Sequence, residues 1–219
     1  MKTRFLTTVC ALLTLAVLLG GCSAGAEKAP KKEVGIQLYS VRSLIGAFGN
    51  NQENYKPVLK QLADMGYTSV EAASYKDGKI YGQTPEQFRK DVEEAGMKVL
   101  STHCTINLSD EELAAGDFSK VSTLEELATY CRYFNEVGAR CKAAGLKFGY
   151  HNHSREFEKI EDRVMLDYMI ENTDPDKVLF EMDVYWAVMG KASPVDYFKK
   201  YPGRFKLLHI KDRREIGQS

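Results

Sequence analysis

The residues of this chain that could carry out acid–base or metal chemistry lie where apolar segments end. All four histidines, His103, His151, His153 and His209, end or directly follow such a segment, and Asp183 ends another. Imidazole and carboxylate ligands together suit Zn, Mn, Fe or Co. We therefore predict that His151, Asp183 and His209 hold one divalent metal ion, with its identity among these four left open.

Two glutamates accompany these ligands at the ends of apolar segments. Glu181 lies two residues before Asp183, so both side chains project to the same side of a strand. Glu181 is compatible both with a supporting role at the metal site and with a buried ion pair, for instance with Lys211. Glu71 is compatible both with a substrate contact and with an ion pair inside the fold.

Three further side chains are candidates for substrate binding. Trp186, the only tryptophan, follows Asp183 closely. An aromatic face suits a sugar ring, and packing in the core is the alternative. Lys211 follows His209 by two residues and is close enough to the predicted site to contact a substrate, as is His153.

The segments that must position these residues alternate between predicted strands and helices. Gly66, Gly96 and Gly145 each end a helix directly before an apolar strand, which is typical of βα units with a parallel sheet. In such folds the carboxyl ends of all strands lie on one face, where active sites are built. The apolar periodicity predicts strands at 34–39, 67–72, 97–102, 146–150, 178–182 and 205–210, and helices at 51–65, 84–95, 123–143, 161–171 and 194–200.

Composition and motifs exclude several classes of protein. The 219 residues are 44% hydrophobic and 27% charged, with a formal net charge of +0. These values are typical of a globular domain and give no basic surface for nucleic acid. No glycine-rich GxGxxG or GxxxxGK[ST] motif follows a strand, so the sequence gives no support to a nucleotide-binding fold.

The N-terminus predicts export and lipid attachment. Lys2 and Arg4 precede an apolar run that ends in Leu19-Gly-Gly-Cys22, which resembles the signal of bacterial lipoproteins. We expect a signal peptide at 1–21, lipidation at Cys22 and a tether at 22–33. The expected location is the bacterial cell envelope, either periplasmic or at the outer surface, with membrane contact only through the lipid. The alternative is an ordinary signal cleaved near residues 24–26.

Four segments, in this order, resemble the sugar phosphate isomerase/epimerase family. They are Gly35-Ile-Gln-Leu-Tyr-Ser-Val-Arg42, Lys147-Phe-Gly-Tyr-His-Asn-His-Ser-Arg-Glu-Phe157, Glu181-Met-Asp-Val-Tyr-Trp186 and Leu208-His-Ile-Lys-Asp212. The resemblance implies an α/β fold, a xylose isomerase-like TIM (β/α)₈-type barrel over 34–219. Six strands are predicted where that barrel has eight, so we expect it to be incomplete, with its C-terminal part missing.

The same resemblance implies a set of metal ligands and a reaction. In the epimerases of this family two glutamates, an aspartate and a histidine hold the metal, and the glutamates exchange protons with the substrate. Asp183 and His209 match the aspartate and histidine, and His151 occupies the usual position of the first glutamate. Glu156, Glu181 or His103 is then the expected catalytic base, with His153 as a further alternative.

The implied activity is isomerisation or epimerisation of a sugar or keto-sugar by proton abstraction next to a carbonyl. Two alternatives stay open: a lyase or dehydratase acting on a keto-sugar, keto-glycoside or inosose, and a sugar-binding lipoprotein without turnover. The expected partner is a small sugar, with no nucleic acid, and assembly into a homo-oligomer is left open.

Overall fold

The computed structural model describes residues 33–47, 50–51, 55–104 and 118–211. The predicted signal peptide at 1–21, Cys22 and all of the tether except Glu33 lie outside these residues, as does most of the polar segment 104–122. The chain divides into two compact units, Met1–Thr105 and Ile106–Ser219, called here the first and second unit. No helix among the described residues has the length and apolar character needed to cross a membrane.

The first unit is built on a parallel three-stranded sheet in the order β1-β4-β7. Its strands are β1 (Gly35–Gln37), β4 (Ser69–Ala72) and β7 (Lys98–Thr102), and its helices are α1 (Arg42–Ile45), α2 (Lys56–Asp64) and α3 (Pro85–Glu94). Two-residue strands form the pairs β2 (Gly46–Ala47) with β3 (Asn50–Asn51) and β5 (Tyr75–Lys76) with β6 (Lys79–Ile80).

Apolar faces of α2 and α3 form the core of this unit against the sheet. Leu59 and Leu62 of α2 and Phe88 and Val92 of α3 are buried in one cluster with Val70 of β4. The Thr84 hydroxyl accepts a hydrogen bond from the Gln87 N–H and so caps α3. This packing fixes β4 and presents its C-terminal residues at the end of the sheet.

The second unit repeats this design with a parallel sheet in the order β12-β11-β8. Its strands are β8 (Phe148–His151), β11 (Val178–Asp183) and β12 (Phe205–His209), with the short pair β9 (Lys159–Ile160) and β10 (Arg163–Val164). Its helices are α4 (Leu124–Ala143), α5 (Met165–Glu171), α6 (Val184–Met189) and α7 (Pro194–Lys200).

The long helix α4 begins at a capping box and ends before a glycine in the left-handed backbone conformation. The Thr123 hydroxyl accepts from the Glu126 N–H while the Glu126 carboxylate accepts from the Thr123 N–H. Gly145 has a φ of +74°, which a residue without a side chain adopts freely. Leu127, Phe134, Leu166 and Phe180 are buried together, so α4 and α5 cover the sheet.

The described residues contain the six predicted parallel strands and the five predicted helices, with shifted ends. The predicted strand 34–39 is wrong at its end, because Leu38–Val41 form a 3₁₀ helix. The helix predicted at 161–171 begins only at Met165. Glu161 and Asp162 have φ values of +47° and +65°, which a right-handed helix does not allow. Helix α6 was not predicted.

Candidate functional site

Strand register in the second unit brings His151, Asp183 and His209 together at the carboxyl ends of β8, β11 and β12. His151 lies opposite Glu181 on the neighbouring strand, and Asp183 lies opposite His209. Nε2 of His151 is 3.3 Å from Oδ2 of Asp183, and Nε2 of His209 is 4.0 Å from the same oxygen. Two imidazoles on different strands thus approach one carboxylate oxygen.

The backbone and the carboxylate of Asp183 are fixed by neighbouring groups. Its Oδ1 accepts a hydrogen bond from the Trp186 N–H at 2.9 Å and caps α6. The Asn152 side chain accepts from the Asp183 N–H at 3.1 Å and donates to the Asp183 carbonyl at 3.3 Å. Burial opposes ionisation of Asp183, but hydrogen bonds from His151 and the Trp186 N–H outweigh it and lower its pKa.

His151 lies between two carboxylates. Its Nδ1 is 3.0 Å from Oε2 of Glu181, on the side of the ring away from Asp183. Burial favours the neutral ring, but hydrogen bonds to Asp183 and Glu181 prevail and raise the pKa of His151 to about 9. The ring therefore carries a proton on each nitrogen near neutral pH, one for each carboxylate, and a metal ion bound at Nε2 would replace the proton there.

Each histidine of this trio lies close enough to the Asp183 carboxylate to share one metal ion with it. Metal–nitrogen and metal–oxygen bonds are about 2.0–2.2 Å long, so two ligand atoms of one ion lie at most about 4.4 Å apart. The separations of 3.3 and 4.0 Å fall within this limit. A carboxylate on the other ring nitrogen, here from Glu181, is the usual partner of a metal-binding histidine.

The Glu156 carboxylate has a structural partner for each of its oxygens. Oε1 accepts from the Tyr150 hydroxyl at 2.6 Å, and Oε2 accepts from the His153 N–H at 2.8 Å. The residue is 5% exposed. Glu156 therefore fixes the backbone after β8, whereas Oε1 of Glu181 accepts no hydrogen bond within the described part of the chain.

The predicted substrate-binding residues of the second unit line the same end of the sheet. The exposed His153 ring lies 5.6 Å from the Trp186 ring, centroid to centroid, and 5.4 Å from the His151 ring. The Lys211 ammonium lies over Tyr185 and Trp186. The alternative of an ion pair between Glu181 and Lys211 is not found in the described residues, where Glu181 pairs with His151.

In the first unit, Glu71 and His103 form a second polar cluster at the ends of β4 and β7. Oε1 of Glu71 accepts from the Gln37 amide at 2.5 Å and lies 3.0 Å from Nε2 of His103, and Oε2 accepts from the Ser101 hydroxyl at 2.5 Å. Burial opposes ionisation of Glu71, but the hydrogen bonds from His103, Ser101 and Gln37 lower its pKa to about 2. Both Glu71 oxygens are therefore engaged within the protein.

The sequence analysis missed three residues that hold the candidate residues in place. Asn152 forms hydrogen bonds with both the N–H and the carbonyl of Asp183, while Gln37 and Ser101 donate hydrogen bonds to Glu71. Gln37 ends β1, and Asn152 directly follows β8 between two histidines. Both are therefore polar residues at strand ends, the feature used above to choose candidates. Ser101 lies one residue before the end of β7 and carries no such signal.

Comparison with solved structures gives close structural neighbours. No protein-family model matches the chain. A sugar phosphate isomerase/epimerase from Parabacteroides distasonis ATCC 8503 is 31% identical, with a TM-score of 0.73 over 89% of this chain and 80% of that one. A second structure of that description from the same organism is 34% identical, with a TM-score of 0.71 over 86% of this chain and 82% of that one.

A more distant structural neighbour has the same fold. A D-psicose 3-epimerase, solved in the presence of D-fructose, is 14% identical, with a TM-score of 0.59 over 86% of this chain and 76% of its own. Together these neighbours confirm the expected fold class, an α/β fold of the TIM (β/α)₈ type, of which the described residues contain six parallel strands.

Among curated proteins the chain is similar to inosose dehydratases. That of Lacticaseibacillus casei is 25% identical over 177 residues, which is 76% of this chain and 58% of the relative. That of Clostridium perfringens strain 13 is 27% identical over 193 residues, 82% of this chain and 64% of the relative. The chain thus spans about three fifths of the length of these relatives.

Proposed function

Because the chain belongs to the sugar phosphate isomerase/epimerase family, we propose that it abstracts a proton next to the carbonyl of a sugar or keto-sugar, with one divalent metal ion. The observation that carries this proposal is the convergence of His151 Nε2 and His209 Nε2 on Oδ2 of Asp183, at 3.3 and 4.0 Å. Three groups at the carboxyl ends of parallel strands lie where βα folds build their active sites.

His151, Asp183 and His209 would hold the ion, for which Mn, Zn, Co and Fe are the candidates. When bound, such an ion supplies Lewis-acid polarisation of a carbonyl, which makes the adjacent C–H more acidic. The trio is preorganised for this task. Glu181 fixes the His151 ring through Nδ1, and the α6 cap fixes the Asp183 carboxylate through Oδ1.

Glu181 is the residue of the second unit best suited to take the substrate proton. One of its oxygens is fixed by His151, which orients the carboxylate, and the other has no hydrogen bond among the described residues. Glu156 is less suited, since protein donors occupy both its oxygens. His103, oriented by Glu71 in the first unit, remains the alternative acid–base residue of the sequence analysis.

Similarity to inosose dehydratases favours a second reaction that begins with the same proton abstraction. Returning the proton to carbon gives epimerisation or isomerisation, whereas loss of a β-hydroxyl gives dehydration. A histidine at position 151, where the family epimerases have a glutamate, leaves the trio with one carboxylate fewer and supports the lyase. Both reactions share proton abstraction and the same trio.

Metal content and solvent exchange together test the proposal. The purified protein is loaded with Mn²⁺, Zn²⁺ or Co²⁺, its bound metal is counted, and D-fructose, D-tagatose and an inosose are incubated with it in deuterated water. We expect one metal per chain and deuterium at the carbon next to the carbonyl, or loss of water from the inosose. Metal binding without exchange or water loss with these probes would instead support the sugar-binding lipoprotein, and a wild-type chain that binds no metal would refute the proposal.

A further inference from the structure

We propose that Lys211 binds an anionic group, a carboxylate or a phosphate, carried by the sugar ligand. The inference rests on the proposed function for the identity of that ligand. Its structural basis is a positive charge held against two aromatic rings at the edge of the candidate metal trio.

The Lys211 ammonium is positioned by Tyr185 and Trp186. Its nitrogen lies 4.4 Å from the centroid of the Tyr185 ring and 5.1 Å from that of Trp186. The two rings meet edge to face, with centroids 4.8 Å apart and an interplanar angle of 74°. Such cation–π contacts position a lysine without neutralising its charge, so N–H groups of the ammonium remain available as donors.

Among the described residues no carboxylate pairs with Lys211, in contrast to Lys56 with Asp91 and Lys200 with Asp167. Lys211 is exposed, so a ligand can reach its ammonium. An anionic oxygen would meet it with a charge-assisted hydrogen bond, which is stronger than a bond to a neutral hydroxyl. The electrostatics therefore favour a charged ligand group over a neutral one.

Lys211 is connected to the metal trio by a row of rings. Centroid distances are 5.6 Å from Trp186 to His153, 5.4 Å from His153 to His151 and 5.1 Å from His151 to His209. Lys211 follows His209 by two residues, so their Cα atoms are at most about 7 Å apart. Lys211 therefore lies beside the trio at the carboxyl end of the sheet.

The fluorescence of Trp186 can report on ligand binding at Lys211. Trp186 is the only tryptophan of the 219 residues, so its emission reports on the ring beside Lys211 without background from other indoles. A ligand that draws the ammonium away from the indole face changes that emission. The signal does not depend on a bound metal.

The experiment compares three probes that share one ring and differ at a single carbon: glucose, glucuronate and glucose 6-phosphate. Each is titrated into the metal-loaded full chain, and again into the metal-free chain, with Trp186 emission as the readout. The variants are Lys211→Met, which keeps the aliphatic stem, Lys211→Arg, which keeps the charge, and Lys206→Met. Lys206 is an exposed lysine of β12, the strand that leads to Lys211, and serves as the matched control.

We expect at least one charged probe to bind the wild-type chain at least tenfold more tightly than glucose. Glucuronate alone would identify a carboxylate site, and glucose 6-phosphate alone a phosphate site. Lys211→Met should abolish the preference, while Lys211→Arg and Lys206→Met should retain it. Equal affinity for all three probes, or a preference that survives in Lys211→Met, overturns the inference.

The two proposals can fail separately. If the wild-type chain binds no metal but Lys211→Met still removes a preference for charged sugars, the metal-dependent function is wrong and the anion site stands. If metal and exchange are normal in Lys211→Met and the wild-type chain shows no preference for charged probes, the anion site is wrong and the function stands.

Discussion

The two oxygens of Asp183 face different partners, and His151 contacts only one of them. Oδ1 accepts the Trp186 N–H at 2.9 Å, whereas Oδ2 lies 3.3 Å from Nε2 of His151. One carboxylate therefore serves both the folding of α6 and the candidate metal trio. Because these tasks use separate atoms, they can be separated by substitution.

Asp183→Asn should weaken metal binding while keeping the cap of α6. The amide oxygen can still accept the Trp186 N–H, but the charge facing His151 and His209 is lost. We expect affinity for Mn²⁺ or Zn²⁺ to fall at least about tenfold, since losing a charged ligand should cost no less than losing a group that supports one. Isothermal titration measures the affinity, and circular dichroism checks the fold.

Asp183→Ala is the matched comparison, because it removes the cap as well as the charge. Loss of a helix cap costs about 1 kcal/mol. Urea denaturation should therefore find Asp183→Ala less stable than Asp183→Asn, with metal binding weakened in both. Wild-type metal affinity in Asp183→Asn would contradict the assignment of this residue as a ligand.

Glutamine and alanine at position 181 should have different effects. Glu181→Gln retains an oxygen that can accept from Nδ1 of His151, but it lacks a basic carboxylate. Glu181→Ala loses both. We expect the glutamine variant to bind metal within a few-fold of wild type and to lose deuterium exchange at least about 100-fold, the usual scale of general base catalysis.

The alanine variant should in addition lose about 10- to 100-fold in metal affinity, which is typical for a residue that orients a ligand. Direct metal titration and exchange rates from nuclear magnetic resonance separate the two effects. Near-normal exchange in Glu181→Gln would exclude Glu181 as the base and leave His103 as the alternative.

The alternation of strands and helices could be predicted from the sequence because the signals for it are local. Gly66, Gly96 and Gly145 all have positive φ values at the ends of helices, and Thr84, the first residue of the helix predicted at 84–95, caps that helix. Alternation of strands and helices then implied parallel sheets with their carboxyl ends together. That topological argument alone placed His151, Asp183 and His209 on neighbouring strands.

The features that could not be predicted from the sequence are contacts set by strand register and a helix too short to give a pattern. Glu71 meets Ser101 only because the register of β4 and β7 shifts between Val70 and Glu71. Helix α6 has six residues, too few for a periodic pattern to emerge, and it is stabilised by the Asp183 cap. Gln37 bonds to Glu71 across strands far apart in sequence, a contact that no local motif encodes.

Gly138→Ala should destabilise the second unit although it places alanine within a helix. An added Cβ would clash with the Lys177 carbonyl oxygen, a backbone atom that cannot rotate away. Overpacking of this kind costs about 1–3 kcal/mol, which equals or exceeds the gain of about 1 kcal/mol from helix propensity. Urea denaturation measures the free energy of unfolding.

The exposed neighbour Ala139 provides the control for the propensity effect. Ala139→Gly should cost about 1 kcal/mol, because glycine is the poorer helix former and no contact is lost. A stability gain in Gly138→Ala would mean that α4 and the segment at Lys177 are less closely packed than the structure indicates.

The Glu71 cluster should make the first unit sensitive to acid. The pKa of Glu71 is about 2 in the folded chain against a reference value of 4.5, so the folded state binds its proton less readily than the unfolded state. Its contribution to stability is therefore complete above pH 4.5 and is lost as pH falls toward 2. The shift corresponds to about 3 kcal/mol, of which about 1 kcal/mol should remain at pH 3.

Glu71→Gln isolates this contribution. The variant should be less stable than wild type by about 3 kcal/mol at pH 6 and by much less at pH 3, because only the wild-type chain loses the stabilising charge. Glu93, exposed on α3, is the matched control, and Glu93→Gln should change stability by less than about 0.5 kcal/mol at either pH. A cost of Glu71→Gln that is equal at the two pH values would mean that the ionised carboxylate is not what His103, Ser101 and Gln37 stabilise.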